Sequence, residues 1–173
     1  MSRLSFVIVD SRYCDYLRAV DPCVPYTMDR KANRPFVGVL LQIKDLSYYA
    51  PLSSPKPKHL KMGKQVDAIK IDNGRYGIIN LNNMIPIHEN SVSAIDAAIY
   101  PTDTYAEVQY KTLLGNQLSW CNANKTVILS KASTLYRLIT NHKAWDGLTK
   151  RCCDFAQDEV LLRQYCLDNG WVL

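Results

Sequence analysis

Between Tyr48 and Lys64 the chain reads YYAPLSSPKPKHLKMGK, with two adjacent serines followed at once by four lysines and a histidine. No acidic residue falls between Leu46 and Val66, while Lys56, Lys58, Lys61 and Lys64 crowd together. Hydroxyls beside unopposed ammonium groups suit one partner well, a phosphodiester backbone, whose oxygens accept hydrogen bonds and carry the opposite charge. The same composition also describes a solvated, lysine-rich loop. Pro51 and Pro55 bracket the Leu-Ser-Ser step, supply no backbone N–H and fix φ. The stretch is therefore expected to be a rigid, exposed loop or short bend and not a central sheet strand.

The totals narrow the partner. With 173 residues, 47% hydrophobic and 21% charged, the chain has the size and composition of one globular domain, 1–173. Its formal charge is +5, and the surplus sits mainly in residues 30–75 because most acids lie in the second half. That asymmetry favours an anionic partner over an acidic small molecule. The six cysteines include the neighbours Cys152 and Cys153 and form no paired Cys-x-x-Cys motifs. They read as reduced, mostly buried thiols of a cytoplasmic protein, without zinc. The apolar run Phe6–Val9 is too short for a signal peptide, and no run approaches the ~20 residues of a membrane span.

The elements that must carry the loop follow in order. Phe6–Val9 suits a buried strand, and Ser11–Leu17 a helix with Tyr13, Tyr16 and Leu17 on one face, ended by Asp21-Pro22. Cys23–Asn33 is an ordered loop rich in tyrosine and basic groups, Tyr26, Arg30 and Lys31 among them. Arg34–Ile43 and Leu46–Leu52 form a hairpin turning at Asp45. Val66–Ile71 and Tyr76–Leu81 pair across the Asp72-Asn73-Gly74-Arg75 turn, and Met84–Ile87 makes an edge strand. After residue 90 the pattern turns helical: a short segment Ile95–Tyr100, then a long helix capped by Thr102 or Asp103 and running to Asn122. Its inward stripe is expected at Tyr105, Val108, Leu114, Leu118 and Cys121, with Lys111 outside it. Ser130–His142 and Asp154–Leu167 are further helices. Strands first and helices second give an α+β domain.

Four blocks, RPFVGVLL from Arg34, YAPLSSPK from Tyr49, GIINLNNMIPI from Gly77 and YKTL from Tyr110, together resemble the ToxN/AbiQ family. These are endoribonuclease toxins of type III toxin–antitoxin and phage abortive-infection systems. The likeness runs in order from Tyr13 to about Phe155. It implies a strongly twisted antiparallel, partly barrel-like sheet from the N-terminal half, flanked by helices mostly from the C-terminal half. It implies sequence-preferring cleavage of single-stranded RNA without a metal or other cofactor, leaving a 2′,3′-cyclic phosphate and a 5′-hydroxyl. It also implies a partner: a small repeated RNA antitoxin that folds as a pseudoknot, is processed by the toxin and closes with it into a cyclic assembly in the bacterial cytoplasm. Carried over by position, the family's hydroxyl pair falls on Ser53 and Ser54, its loop lysine on Lys56, its basic strand opener on Arg34 and its N-terminal tyrosine on Tyr13. Ser53 stands where relatives frequently have threonine, and Pro57 where they can carry another basic residue and an aromatic.

The chemistry fits those residue types. Cyclising cleavage needs the 2′-OH deprotonated, charge stabilised on the phosphorane and a proton delivered to the departing 5′-oxygen. His59 lies beside the loop, whereas His88 and His142 end apolar stretches and read as structural. No carboxylate cluster flanks the basic loop for a metal. Lys56, with other cations close by, is the expected proton carrier through a pKa lowered from its ordinary ~10.4. Arg34 cannot lose its proton and serves as a clamp on the scissile phosphate. Ser53 and Ser54 donate to phosphate oxygens or position the 2′-OH, and Tyr13 does the same or stacks on a base. Arg30, Lys31, Lys58, Lys61 and Lys64 are expected on RNA phosphates, and Tyr26 and His59 on unpaired bases. Tyr110 and Lys111 fall in a matching block, with a core role for Tyr110 equally open. Asn80 reads as a hydrogen-bonded structural group. A non-catalytic RNA-binding module on the same loop, and a protein-interaction domain on an SH3-like sheet, are the competing classes.

Overall fold

A computed structural model describes residues 3–28 and 33–173. The chain opens with strand β1 (Ser5–Val9), after which the Asp10 carboxylate accepts the Arg12 N–H and starts helix α1 (Ser11–Arg18). Tyr13, Cys14 and Leu17 repeat at helical spacing and bury together. The hairpin follows as β2 (Phe36–Ile43) and β3 (Leu46–Ser53), then the short helix α2 (Pro57–Lys61). Three-residue strands come next: β4 (Ala68–Lys70), β5 (Ile78–Asn80), β6 (Ile85–Ile87) and β7 (Val92–Ala94). Helices α3 (Tyr105–Ala123), α4 (Lys125–Thr140), α5 (Asp146–Thr149) and α6 (Phe155–Asn169) complete the chain. The α+β expectation holds.

All strand pairs are antiparallel, in the order β4-β5-β3-β2-β1-β7 with β6 also on β3. The terminal strands β4 and β7 do not pair, so the sheet is open and not a closed barrel. Strand β3 is its hub. It pairs with β2 along one edge; on the other, Ser47–Tyr49 meet β6 and Leu52–Ser53 meet β5.

Pro51 therefore sits in a central strand, contrary to the expectation drawn from its missing N–H. The Leu52 N–H donates to Pro35 O on the β2 side, so by alternation the Pro51 nitrogen faces the other edge. There it falls between the end of β6 pairing and the start of β5 pairing, where no ladder bond is lost. Beyond Pro55 the expected loop becomes α2, because Pro57 occupies the first turn, where a missing N–H costs nothing.

Helices α4 and α6 pack on the sheet. The Glu159 carboxylate of α6 accepts the hydroxyls of Tyr48 from β3 and Tyr136 from α4, both at 2.7 Å, and ties the three elements together. Several boundaries differ from the sequence reading. Ile95–Tyr100 is not helical; β7 forms just before it, and Asp96 and Asp103 accept the N–H groups of Ala98 and Tyr100 in turns. Thr104, not Thr102 or Asp103, caps α3 in a capping box with Glu107. The stripe on α3 begins only at Leu114, continuing through Gln117 and Cys121, and Tyr105 is 80% exposed. Helix α4 starts at Lys125, and Asp154 caps α6 as expected. All six cysteines are free thiols, five of them buried. Among the described residues no helix is long and apolar enough to cross a membrane.

Candidate nucleic-acid cleavage site

The β2–β3 register builds the site. Phe36 pairs with Pro51, so two residues outward Arg34 faces Ser53, and opposed residues in an antiparallel pair share a sheet face. A cavity of about 380 Å³ opens at this end of the hairpin. Arg34, Ser53, Ser54 and Lys56 form one wall; Tyr110, Leu113, Leu114 and Gln117 of α3 form the other. Among the described residues no carboxylate lines it.

Two glycines hold the serine–lysine segment in place. Gly77 has φ +95°, and a Cβ there would run into Ser53 O and lie 3.1–3.2 Å from Ser54 C and Pro55 N. Gly74 has φ +93°, with His59 O where a Cβ would sit. Both positions need a residue without a side chain. The Lys70 ammonium then caps α2 by donating to Leu60 O and Met62 O, each at 3.0 Å. From α3 the buried Gln117 donates to Tyr76 O at 2.7 Å, joining the far wall to the same glycine-bearing turn. The Tyr110 hydroxyl donates to Asn33 O at 3.4 Å beside Arg34.

Electrostatically this is an anion site. Arg34 is half-buried, and burial lowers its pKa from the ordinary arginine value. Among the described residues it has no ion-pair partner. A phosphate placed there would offset that desolvation and offer two oxygens to the planar guanidinium. Lys56 is exposed, in extended backbone (φ −139°), ahead of Pro57.

The structure brings together Arg34, Ser53, Ser54, Lys56 and Tyr110, the last 43% exposed and so a wall residue instead of a core one. Tyr13 is elsewhere: fully buried, its hydroxyl donates to Pro86 O at 2.6 Å and its ring meets Tyr165 edge-on. Burial pushes its pKa well up, and it neither stacks on nor bonds a surface ligand. His59 is 1% exposed on the inward side of α2, where burial, with Lys58 and Lys56 nearby, lowers its pKa; a ring so enclosed has no face to offer a base. Lys111, one step around α3 from Tyr110, pairs with Asp103 at 2.8 Å over the Tyr100 ring, away from the cavity. Lys58, Lys61 and Lys64 are exposed on the flank beyond it. Tyr26 is 40% exposed with the Arg18 guanidinium over its ring, and does not line the cavity. Arg30 and Lys31 lie outside the described residues.

Sequence reasoning missed Gln117 and Leu113. Gln117 lies seven residues after Tyr110, two helical turns along the same face, and that spacing was the available signal. Among the described residues, one buried trio, Asp21, Cys153 and Asp158, has metal-ligating atoms close together, and none of the three lines the cavity. Asp21 already accepts the N–H groups of Cys23 and Asp154. Burial, then Asp21 and Asp154, push the Asp158 pKa up to about 8, so the Asp158 carboxyl beside Asp21 holds its proton at neutral pH.

Comparison with known proteins gives this arrangement a lineage. The profile described as toxin ToxN, type III toxin–antitoxin system, matches residues 5–163. The chain is 33% identical over 165 residues to endoribonuclease ToxN of Bacillus thuringiensis subsp. kurstaki, covering 92% of this chain and 83% of that one. It is 33% identical over 170 residues to endoribonuclease ToxN of Pectobacterium atrosepticum, covering 94% of each. A solved structure described in terms of selective toxin inhibition by a non-coding RNA pseudoknot superposes with a TM-score of 0.79 at 30% identity, covering 95% of this chain and 98% of that one. The chain belongs to the ToxN family of toxins from type III toxin–antitoxin systems.

Proposed function

We propose that the chain is a metal-independent endoribonuclease that cleaves single-stranded RNA by attack of a 2′-OH on the adjacent phosphate, leaving 2′,3′-cyclic phosphate and 5′-hydroxyl ends. The observation that carries this reading is the cavity wall of Arg34, Ser53, Ser54 and Lys56 with no carboxylate among the described residues that line it. Such a wall attracts a phosphodiester and offers a divalent metal no hard oxygen anion. Arg34 clamps the non-bridging oxygens, and the serine hydroxyls donate to the charge that grows on them. Lys56, on an exposed stalk between two prolines, carries the proton to the leaving 5′-oxygen. Tyr110 stacks on a base beside the scissile linkage, and Lys58, Lys61 and Lys64 follow the strand outward. Tyr13, His59 and Lys111 take no direct part.

We further propose that a small repeated RNA, folded as a pseudoknot and processed by the toxin, closes with it into a cyclic assembly; the likeness to a toxin structure described by its inhibition by a non-coding RNA pseudoknot supports the inhibition by such an RNA. Cellular single-stranded RNA in the bacterial cytoplasm is the target when that RNA is lacking. The test is incubation of wild-type and Ser53→Ala protein with end-labelled single-stranded RNA in EDTA. Discrete products with cyclic-phosphate ends are expected, formed about 10²-fold or more slowly by the variant. Binding without scission by either protein would leave a non-catalytic RNA-binding module, and scission only with added magnesium would overturn the mechanism.

A further inference from the structure

We propose that Asn80 is a positioning residue that presets the Ser53 hydroxyl as a hydrogen-bond donor into the cavity; this rests on the nuclease reading above. By the β3–β5 register, with Leu52 opposite Ile79, Asn80 stands opposite Pro51. Its amide nitrogen donates to Pro51 O at 3.2 Å and to Ser53 Oγ at 2.9 Å. A carbonyl oxygen only accepts, so the contact with Pro51 O forces the NH₂ group, and not the amide oxygen, toward β3. Both amide protons are then used, and Ser53 Oγ is the acceptor of one of them.

That assignment decides what Ser53 can do. With a lone pair engaged by Asn80, Oγ is a poorer base, while its own proton is not consumed in the pair. Among the described residues Ser53 Oγ has no other partner, and the side chain lines the cavity. The hydroxyl proton therefore points at whatever oxygen enters there. A donor fixed before the substrate arrives needs no reorientation as charge develops on the phosphorane, which is where preorganised donors act most strongly.

The device depends on a gap in the sheet. Pro51 O is within reach of a side chain because pairing on that edge of β3 passes from β6 to β5 at this point. Asn80 occupies the gap with two donors, one spent on the strand and one on the catalytic side chain. Proline in the strand and asparagine opposite it thus act as one unit.

The experiment uses the same end-labelled RNA in EDTA and measures single-turnover cleavage by Asn80→Ala and Asn80→Asp, each alone and combined with Ser53→Ala. Asn80→Ala should slow the step by about 10-fold or more at saturating protein, with the half-saturating concentration unchanged within about twofold. Asn80→Asp should be slower still, because a carboxylate accepts the Ser53 proton and withdraws it from the cavity. In the Ser53→Ala background neither change should slow cleavage by more than about twofold further. A milder effect of the isosteric Asp than of Ala, or slowing that persists without the Ser53 hydroxyl, would overturn the proposal. Melting curves set a temperature at which all variants are folded; if Asn80→Ala does not fold, the Asp variant and its double mutant decide alone. Failure of the nuclease reading looks different: wild-type protein leaves the RNA intact, or Ser53→Ala cleaves like wild type, and the Asn80 proposal falls with it.

Discussion

The two ends of strand β3 are built from similar residues and put to opposite uses. At the Leu46–Tyr49 end, β2 and β6 flank the strand, and the Tyr48 hydroxyl is consumed by Glu159, which also binds Tyr136. At the Pro51–Ser53 end the ladder changes partners, Arg34 lies opposite with no acid beside it among the described residues, and the hydroxyls face a cavity. The buried hydroxyl of the first end is saturated within the chain. The polar groups of the second are held in place but left with capacity to spare. That contrast separates structural from ligand-facing polar residues better than residue type does: Tyr13, a family-matched hydroxyl, belongs with the saturated end.

The comparison can be broken at either end, and the largest effect is expected at the open one. Lys56→Ala should lower the cleavage rate by about 10²-fold or more while leaving the melting temperature unchanged, since the side chain is exposed. Retained cleavage would remove Lys56 from the chemistry.

Next in size is the buried acid. Asp158 keeps its proton in the folded chain up to a pH of about 8 but releases it near 3.8 when unfolded. Its folded pKa is raised, so stability falls as pH rises from about 4 to about 8 and is level beyond. Asp158→Asn stays neutral and can donate to Asp21. It should be more stable than wild type by a few kcal/mol at pH 8, with the difference shrinking toward pH 4. Urea unfolding at the two pH values measures it; a difference independent of pH would contradict the assignment.

Tyr13→Phe probes the saturated side directly. It leaves Pro86 O without its partner and should cost about 1–2 kcal/mol of stability in the same assay. Cleavage per folded molecule should not change, whereas a fall would restore Tyr13 to the site. The smallest effect belongs to the flank. Lys61→Ala should weaken RNA binding evenly across sequences and reduce the slope of log affinity against log salt by about 0.7, as for one phosphate contact on a single strand.

Much of this contrast was legible in the chain, and its limits have physical causes. The hairpin follows from two apolar runs about a short turn, and the acid-free serine–lysine segment declares its charge without any fold. The burial of Tyr13 was not legible, because a tyrosine one turn into an amphipathic helix fits a core face and a surface equally. Nor was the Lys111 ion pair, which joins Asp103 to a residue eight positions away and not at helical i,i+4 spacing. The cap of α3 was readable: Glu107 stands three residues after Thr104, and the reciprocal bonds this spacing permits outrank the neighbouring Thr102 and Asp103. Pro51 misled because its rule assumes a continuous partner, and the change from β6 to β5 is a tertiary fact.

Helix α3 is buried only from Leu114 onward, yet it contributes Tyr110, which lies before that point, to the cavity. It is a cantilever, clamped along Leu114–Cys121 and projecting as far as Tyr105. Movement of the projecting arm, once the Tyr110–Asn33 hydrogen bond opens, would change the aperture between Tyr110 and Arg34 without disturbing the sheet. In hydrogen exchange, amides of the arm should open well below the global unfolding free energy, while those from Leu114 to Cys121 open close to it. A strand of RNA gripped across the gap should slow exchange in the arm and leave the clamped half as it was.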